Sequence, residues 1–106
     1  MEPKEITSKT EFDSTIQNGV TLVDFNAPWC GPCRSQEPIL ERIADQFDGR
    51  ALVAAINIDN HQMIAMELGI QSIPTLIIFK NNKEIQRFIG LQPEATLTGA
   101  LEKLLD

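Results

Sequence analysis

The chain has 106 residues, enough for one domain to bury roughly two thirds of its unfolded surface without help from a metal or several disulfides. Fifteen acidic residues against nine basic ones give a net charge of -6, which argues against nucleic acid or an anionic membrane surface as the main partner. The start, "MEPKEITSKTEF", lacks an apolar run of signal-peptide length, and no later segment approaches the ~20 apolar residues that cross a bilayer, so a cytoplasmic protein without a membrane partner is expected.

No repeat, low-complexity tract or Gly/Ser linker divides the sequence, so a single domain over 1–106 is expected. A short strand is possible around Glu5 to Thr7. Ser8 and Glu11 then have capping-box spacing and Phe12 and Ile16 repeat at four, which predicts a first helix from about Lys9 to Asn18, ended by Gly19. "VTLVDFN" (20–26) and "ALVAAINI" (51–58) are apolar runs without a helical polar face, as expected of central strands buried on both sides. Between them Ile39, Leu40, Ile43, Ala44 and Phe47 form one apolar stripe, which predicts a helix beginning near the cysteines and stopping at about Gly49. Asn60 is the expected cap of a third helix, "HQMIAMEL", closed by Gly69, with Ile64 and Leu68 inward and Met63 and Met66 read as packing residues. His61, just after that cap, is expected in solvent. "TLIIFK" and "KEIQRFI" flank Asn81-Asn82, whose tolerance of positive φ predicts a two-residue hairpin. Pro93 opens a last helix with the stripe Leu97, Leu101, Leu104 and Leu105. Parallel central strands joined by helical crossovers, with the hairpin at one side, make an open α/β sheet of four to five strands covered on both faces.

Both cysteines lie in "NAPWCGPCRSQEP" (26–38), separated only by Gly31 and Pro32. A structural staple across two residues removes little unfolded-chain entropy, and tetrahedral zinc needs two more ligands than the single His61 supplies, leaving metal only as a site shared between two chains. A redox couple fits the frame better. The pair sits where a central strand ends and a helix begins, the usual place for a site in an open α/β sheet. Pro32 suits a first helical turn, and Cys30 just ahead of it faces free amides and the positive end of the helix dipole, which favour the attacking thiolate. Cys33, one turn inside, is within reach of a mixed disulfide formed on Cys30.

"WCGPC" followed by Pro38, with "LVDF" before it and "SIPT" and "FIG" after it, resembles the thioredoxin family along nearly the whole chain. The resemblance implies a thioredoxin fold with a mixed central sheet and a protein-disulfide reductase. It implies no bound cofactor and no metal, a redox-active Cys30–Cys33 disulfide, and electrons from NADPH through thioredoxin reductase; disulfide-containing proteins are the substrates, and a monomer is expected. Cys30 takes the place of the family's nucleophile, Cys33 of its resolving cysteine, and Asp24 of the carboxylate that assists the latter, with burial expected to raise its pKa. A cis Ile73–Pro74 bond would present the Ile73 backbone to an extended substrate, inside an apolar docking rim formed by Trp29, Gly31, Pro32, Ile73, Gly90 and Leu91.

Three positions depart from the family's common wording. Asn26 stands in place of a tryptophan, removing an aromatic wall. Ala55 stands where bacterial members often carry a lysine, so Asp24 loses a cation that would favour its ionisation. Glu37, four residues after Cys33, is expected in solvent; the alternative places it near Asp24 as a coupled pair. An oxidase or isomerase on the same fold is the rival enzymatic reading, and an adaptor holding partners on the Trp29–Ile73–Leu91 rim is the non-enzymatic one.

Overall fold

The computed structural model describes residues 1–105. In chain order it forms β1 (Lys4–Glu5), α1 (Lys9–Ile16), β2 (Val20–Asn26), α2 (Gly31–Gln46), β3 (Leu52–Asn57), a 3₁₀ turn (Ile58–Asn60), α3 (Gln62–Leu68), β4 (Thr75–Lys80), β5 (Lys83–Ile89) and α4 (Glu94–Leu104). The strands make one mixed sheet in the order β1-β3-β2-β4-β5, parallel from β1 to β2 and antiparallel through β4 and β5. Among the described residues, no helix is long and apolar enough to cross a membrane.

Alternation along the strands divides the core in two, because successive side chains point to opposite faces. Leu22, Leu76 and Ile78 join Leu40 and Ile43 of α2, Phe47 at its C-cap, and Leu97 and Leu101 of α4. Val23, Phe25, Ile77 and Phe79 join Phe12 and Ile16 of α1 and Ile64 of α3, with Phe12 edge-on to Phe25 at 6.2 Å and to Phe79 at 5.9 Å. Both faces being covered explains why the central strands read as continuous apolar runs.

Local chemistry sets the ends. The Ser8 hydroxyl accepts from the Glu11 N–H at 3.0 Å, while the Glu11 carboxylate accepts from the Thr7 N–H at 2.7 Å, one residue earlier than the usual capping box. The hairpin turns on Asn81 (φ 50°) and Asn82 (φ 76°), the positive values a two-residue turn demands. Pro38 lies inside α2 and withdraws one amide from its ladder without ending the helix.

Several expectations are corrected. Helix α1 ends at Ile16, β3 at Asn57 and α4 at Leu104, with Pro93 as its N-cap rather than its first residue. Asn60 caps nothing: Asn57 accepts from the Asp59 N–H at 2.9 Å and starts a 3₁₀ turn that takes up Ile58–Asn60, and α3 follows with His61 as an N-cap that makes no side-chain bond. His61 is half-buried, not exposed. Met63 and Met66 are exposed, not packed, because a seven-residue helix buries only the stripe through Ile64 and Ala65, with Leu68 at its margin.

Candidate active site

Strand register assembles one end of the sheet. Phe25 of β2 pairs with Thr75 of β4, which pairs with Ile89 of β5. The segments just beyond this row, 26–30, 72–74 and 90–92, therefore meet where α2 begins. This places Cys30, Ile73, Pro74, Gly90 and Leu91 together although they are far apart in sequence.

Cys30 is the N-cap of α2 in extended conformation (φ -91°, ψ 115°), with Gly31 and Pro32 in the first turn. Its Sγ accepts from the Cys33 N–H at 3.2 Å, so a first-turn amide is aimed at the sulfur where negative charge would develop. The two cysteines form a disulfide with Cα atoms 5.2 Å apart. Both are buried, packed with Ala27 and against Ile73, while Gly31 and Pro32 are exposed.

Asp24 lies in mid-β2, between Ala55 of β3 and Leu76 of β4, and is only 1% exposed. Its Oδ2 accepts from Asn26 Nδ2 at 3.1 Å; its Oδ1 has no partner among the described residues. Desolvation pushes its pKa up from 3.8 to about 7; the Asn26 bond opposes this, and the negative charges of Glu37 and Glu5 add to it. A cavity of about 390 Å³, lined among others by Asp24, Asn26, Glu5, Glu37 and Ala55, leads away from the carboxylate. Glu37 is exposed, as expected, yet its charge still reaches Asp24. With Ala55 as its β3 neighbour, Asp24 faces a methyl group where a cation would favour ionisation.

Asn26 has a role the sequence did not disclose. It supplies the hydrogen bond that favours the ionised form of Asp24, in the position where only a missing aromatic had been noted. Asn26→Ala should therefore raise the Asp24 titration midpoint above that of the parent, followed by the carboxyl ¹³C shift of Asp24; an unchanged or lower midpoint would show that this bond does not tune the group.

The docking candidates are unequal in exposure. Trp29 is 68% exposed, and its Nε1–H donates to Asp59 Oδ2 at 2.9 Å. Pro74 is buried behind a cis Ile73–Pro74 bond, and the Gly90 N–H donates to the Pro74 carbonyl at 2.8 Å. Among the described residues the Ile73 N–H and C=O take no hydrogen-bond partner. Leu91 is exposed, and so is Ile89, which sequence reasoning passed over. Asp59 and the buried Gln36 were also missed. A polar side chain interrupting the α2 stripe between Cys33 and Leu40 was the available signal for Gln36; for Asp59, whose partner is 30 residues away, there was none. Among the described residues no group of three or more His, Cys, Asp or Glu side chains is arranged to hold a metal ion.

Comparison with known proteins gives the same family by three routes. The thioredoxin family model matches residues 3–103. Thioredoxin from Staphylococcus saprophyticus is 42% identical over 96 residues, covering 91% of this chain and 92% of that protein. Thioredoxin from Staphylococcus aureus is 40% identical over 95 residues, covering 90% and 91%. A mutant thioredoxin from Halobacterium salinarum superposes with a TM-score of 0.92 at 38% identity, covering 99% of this chain and 92% of that one, and the Malassezia sympodialis thioredoxin does so at 0.86 and 31%, covering 96% and 90%. The chain belongs to the thioredoxin family, and Cys30–Cys33 is the redox-active disulfide of a dithiol–disulfide oxidoreductase.

Proposed function

We propose that the chain works in the reducing direction on protein disulfides, with Cys30 as nucleophile, Cys33 as resolving thiol and Asp24 as proton acceptor. The Cys30 thiolate attacks one sulfur of the substrate disulfide, and the other leaves as a thiolate that takes up a proton. Cys33 then gives its proton to Asp24 and attacks Cys30 Sγ. The Cys30–Cys33 bond forms as the Cys30–substrate bond breaks, so the substrate gains two electrons and the enzyme pair loses them. The observation that carries this reading is the Cys33 N–H held 3.2 Å from Cys30 Sγ at the α2 N-terminus. A pKa near neutrality suits Asp24 to exchange a proton at working pH, and its cavity is large enough for water to relay it.

An extended substrate fits the unpartnered Ile73 backbone as a short added strand, with Trp29, Gly31, Pro32, Pro74, Gly90 and Leu91 around it. The recycling partner is a thioredoxin reductase carrying electrons from NADPH, with no cofactor bound to this chain. We place the protein in the cytoplasm as a monomer. One sheet flanked by two cores supports reading 1–106 as one domain.

Equilibration of Cys30–Cys33 against a dithiol buffer of known potential, with alkylated thiols counted by mass spectrometry, tests the direction. We expect a potential below about -230 mV, clear of the roughly -180 mV of isomerases; each 30 mV is about 1.4 kcal/mol for this two-electron couple. A value at or above the isomerase level would overturn the reductase and favour oxidation or isomerisation.

A further inference from the structure

Gln36 is 0% exposed, on the inward stripe of α2 one turn past Cys33. Its amide is matched 56 residues away: Nε2 donates to the Gln92 carbonyl at 3.0 Å, and Oε1 accepts from the Gln92 N–H at 2.8 Å. Two antiparallel bonds to one residue's backbone reproduce the pairing that a neighbouring strand would give. Gln92 lies outside every strand, between β5 and α4, and this side chain stands in for a strand partner there. A position that merely filled the core would carry an apolar side chain, since a buried amide is tolerated only when its bonds are made.

The pinned segment is the one that carries Gly90 and Leu91. Gln92 Nε2 reaches back to the Ile89 and Gly90 carbonyls, at 3.3 Å each, and the Gly90 N–H donates to the Pro74 carbonyl at 2.8 Å. A run of hydrogen bonds thus joins α2 to segment 90–92, and segment 90–92 to the Ile73–Pro74 bend. Ile73 in turn packs against the two cysteines.

We infer that Gln36 is a positioning residue for protein substrates: it fixes segment 90–92 against the cysteine helix, so that a chain laid between Ile73 and Leu91 meets Cys30 in attacking register. The inference rests on the docking reading above. Misplacement of a bound chain by about 1 Å is enough to cost on the order of 10²-fold in reactivity, so the anchorage of this segment matters to the reaction although Gln36 touches no reacting atom.

The test compares a large and a small disulfide under single-turnover conditions with pre-reduced protein. In Gln36→Met, which keeps the volume and loses both bonds, the maximal single-turnover rate with insulin should fall about tenfold or more, with the half-saturating concentration within about twofold of the parent. The rate constant with 5,5′-dithiobis(2-nitrobenzoate), which needs no extended docking, and the Cys30–Cys33 potential should not change. An equal loss with both disulfides, no loss with either, or a variant that does not fold would make Gln36 a core residue only and overturn the inference. In the unsubstituted protein the Gln92 amide should exchange with solvent about 10²-fold more slowly than the adjacent Leu91 amide; equal rates would mean that the clamp does not hold in solution, which overturns the inference as well. Leu91→Asp separates the two readings. If it leaves half-saturation by insulin unchanged, the docking surface is wrong; if it raises half-saturation and Gln36→Met leaves the maximal rate unchanged, the positioning role alone fails.

Discussion

Replacing Cys30 with serine is expected to lower insulin reduction by roughly 10³-fold or more, because the serine hydroxyl is not ionised near neutral pH and the step needs an anionic nucleophile. The Cys33→Ser result should differ in kind. Cys30 remains at the N-cap of α2 with the residue-33 amide directed at its sulfur, so attack on the substrate continues. Nothing is then left to displace the substrate, and a stable one-to-one mixed disulfide should accumulate, visible as an adduct of the expected mass under non-reducing conditions. The pair of variants fixes the order of the cysteines. If Cys30→Ser were the variant that trapped substrate, nucleophile and resolving thiol would have to be exchanged.

Much of this arrangement can be read from local pattern. The strands around Leu22 and Ile77 are apolar because both faces are covered, and the α2 stripe from Leu40 to Phe47 turns toward one sheet face; both follow from periodicity. Asn81-Asn82 announces its turn by tolerating positive φ. The errors arise where two local solutions compete. Asn57 and Asn60 are both competent caps, and the earlier one won by closing a 3₁₀ turn; Met63 and Met66 are exposed because they lie off the helix face that carries Ile64, Ala65 and Leu68. Other features lie beyond any local pattern. The Gln36–Gln92 pairing spans 56 residues and the Trp29–Asp59 bond spans 30, so neither leaves a periodic trace. Asn26 was legible as the loss of an aromatic ring but not as the gain of a donor, since its value depends on Asp24 being buried beside it.

Asp24→Asn should make the protein more stable at alkaline pH and slower at resolving substrate. The carboxyl has a pKa of about 7 in the folded chain and 3.8 without the fold's influence, so between these values the native state holds a proton that the unfolded state has released. A group raised in this way contributes stability that is fully present below the lower pKa and is lost as pH rises through the upper one, at about 1.4 kcal/mol per pH unit. Over the interval from 3.8 to about 7 the loss is on the order of 4 kcal/mol, and it levels off above that. Asparagine has the same shape and no charge to desolvate. The two urea-unfolding curves should therefore nearly meet at pH 4 and diverge by up to about 4 kcal/mol at pH 8 in favour of the variant. Titrations shared by both proteins cancel in the difference, although the part of the gap set by Glu37 and Glu5 disappears with the carboxylate they act on. Parallel curves would show that Asp24 is not raised. In the same variant, decay of the Cys30–substrate mixed disulfide should slow by about 10²-fold at neutral pH, the usual worth of a positioned base. A stabilised variant with undiminished resolution would remove Asp24 from the reaction and leave its burial without a functional cause. Stabilisation together with slow resolution means that the fold keeps a destabilising charge inside its sheet because the second thiol needs a base there.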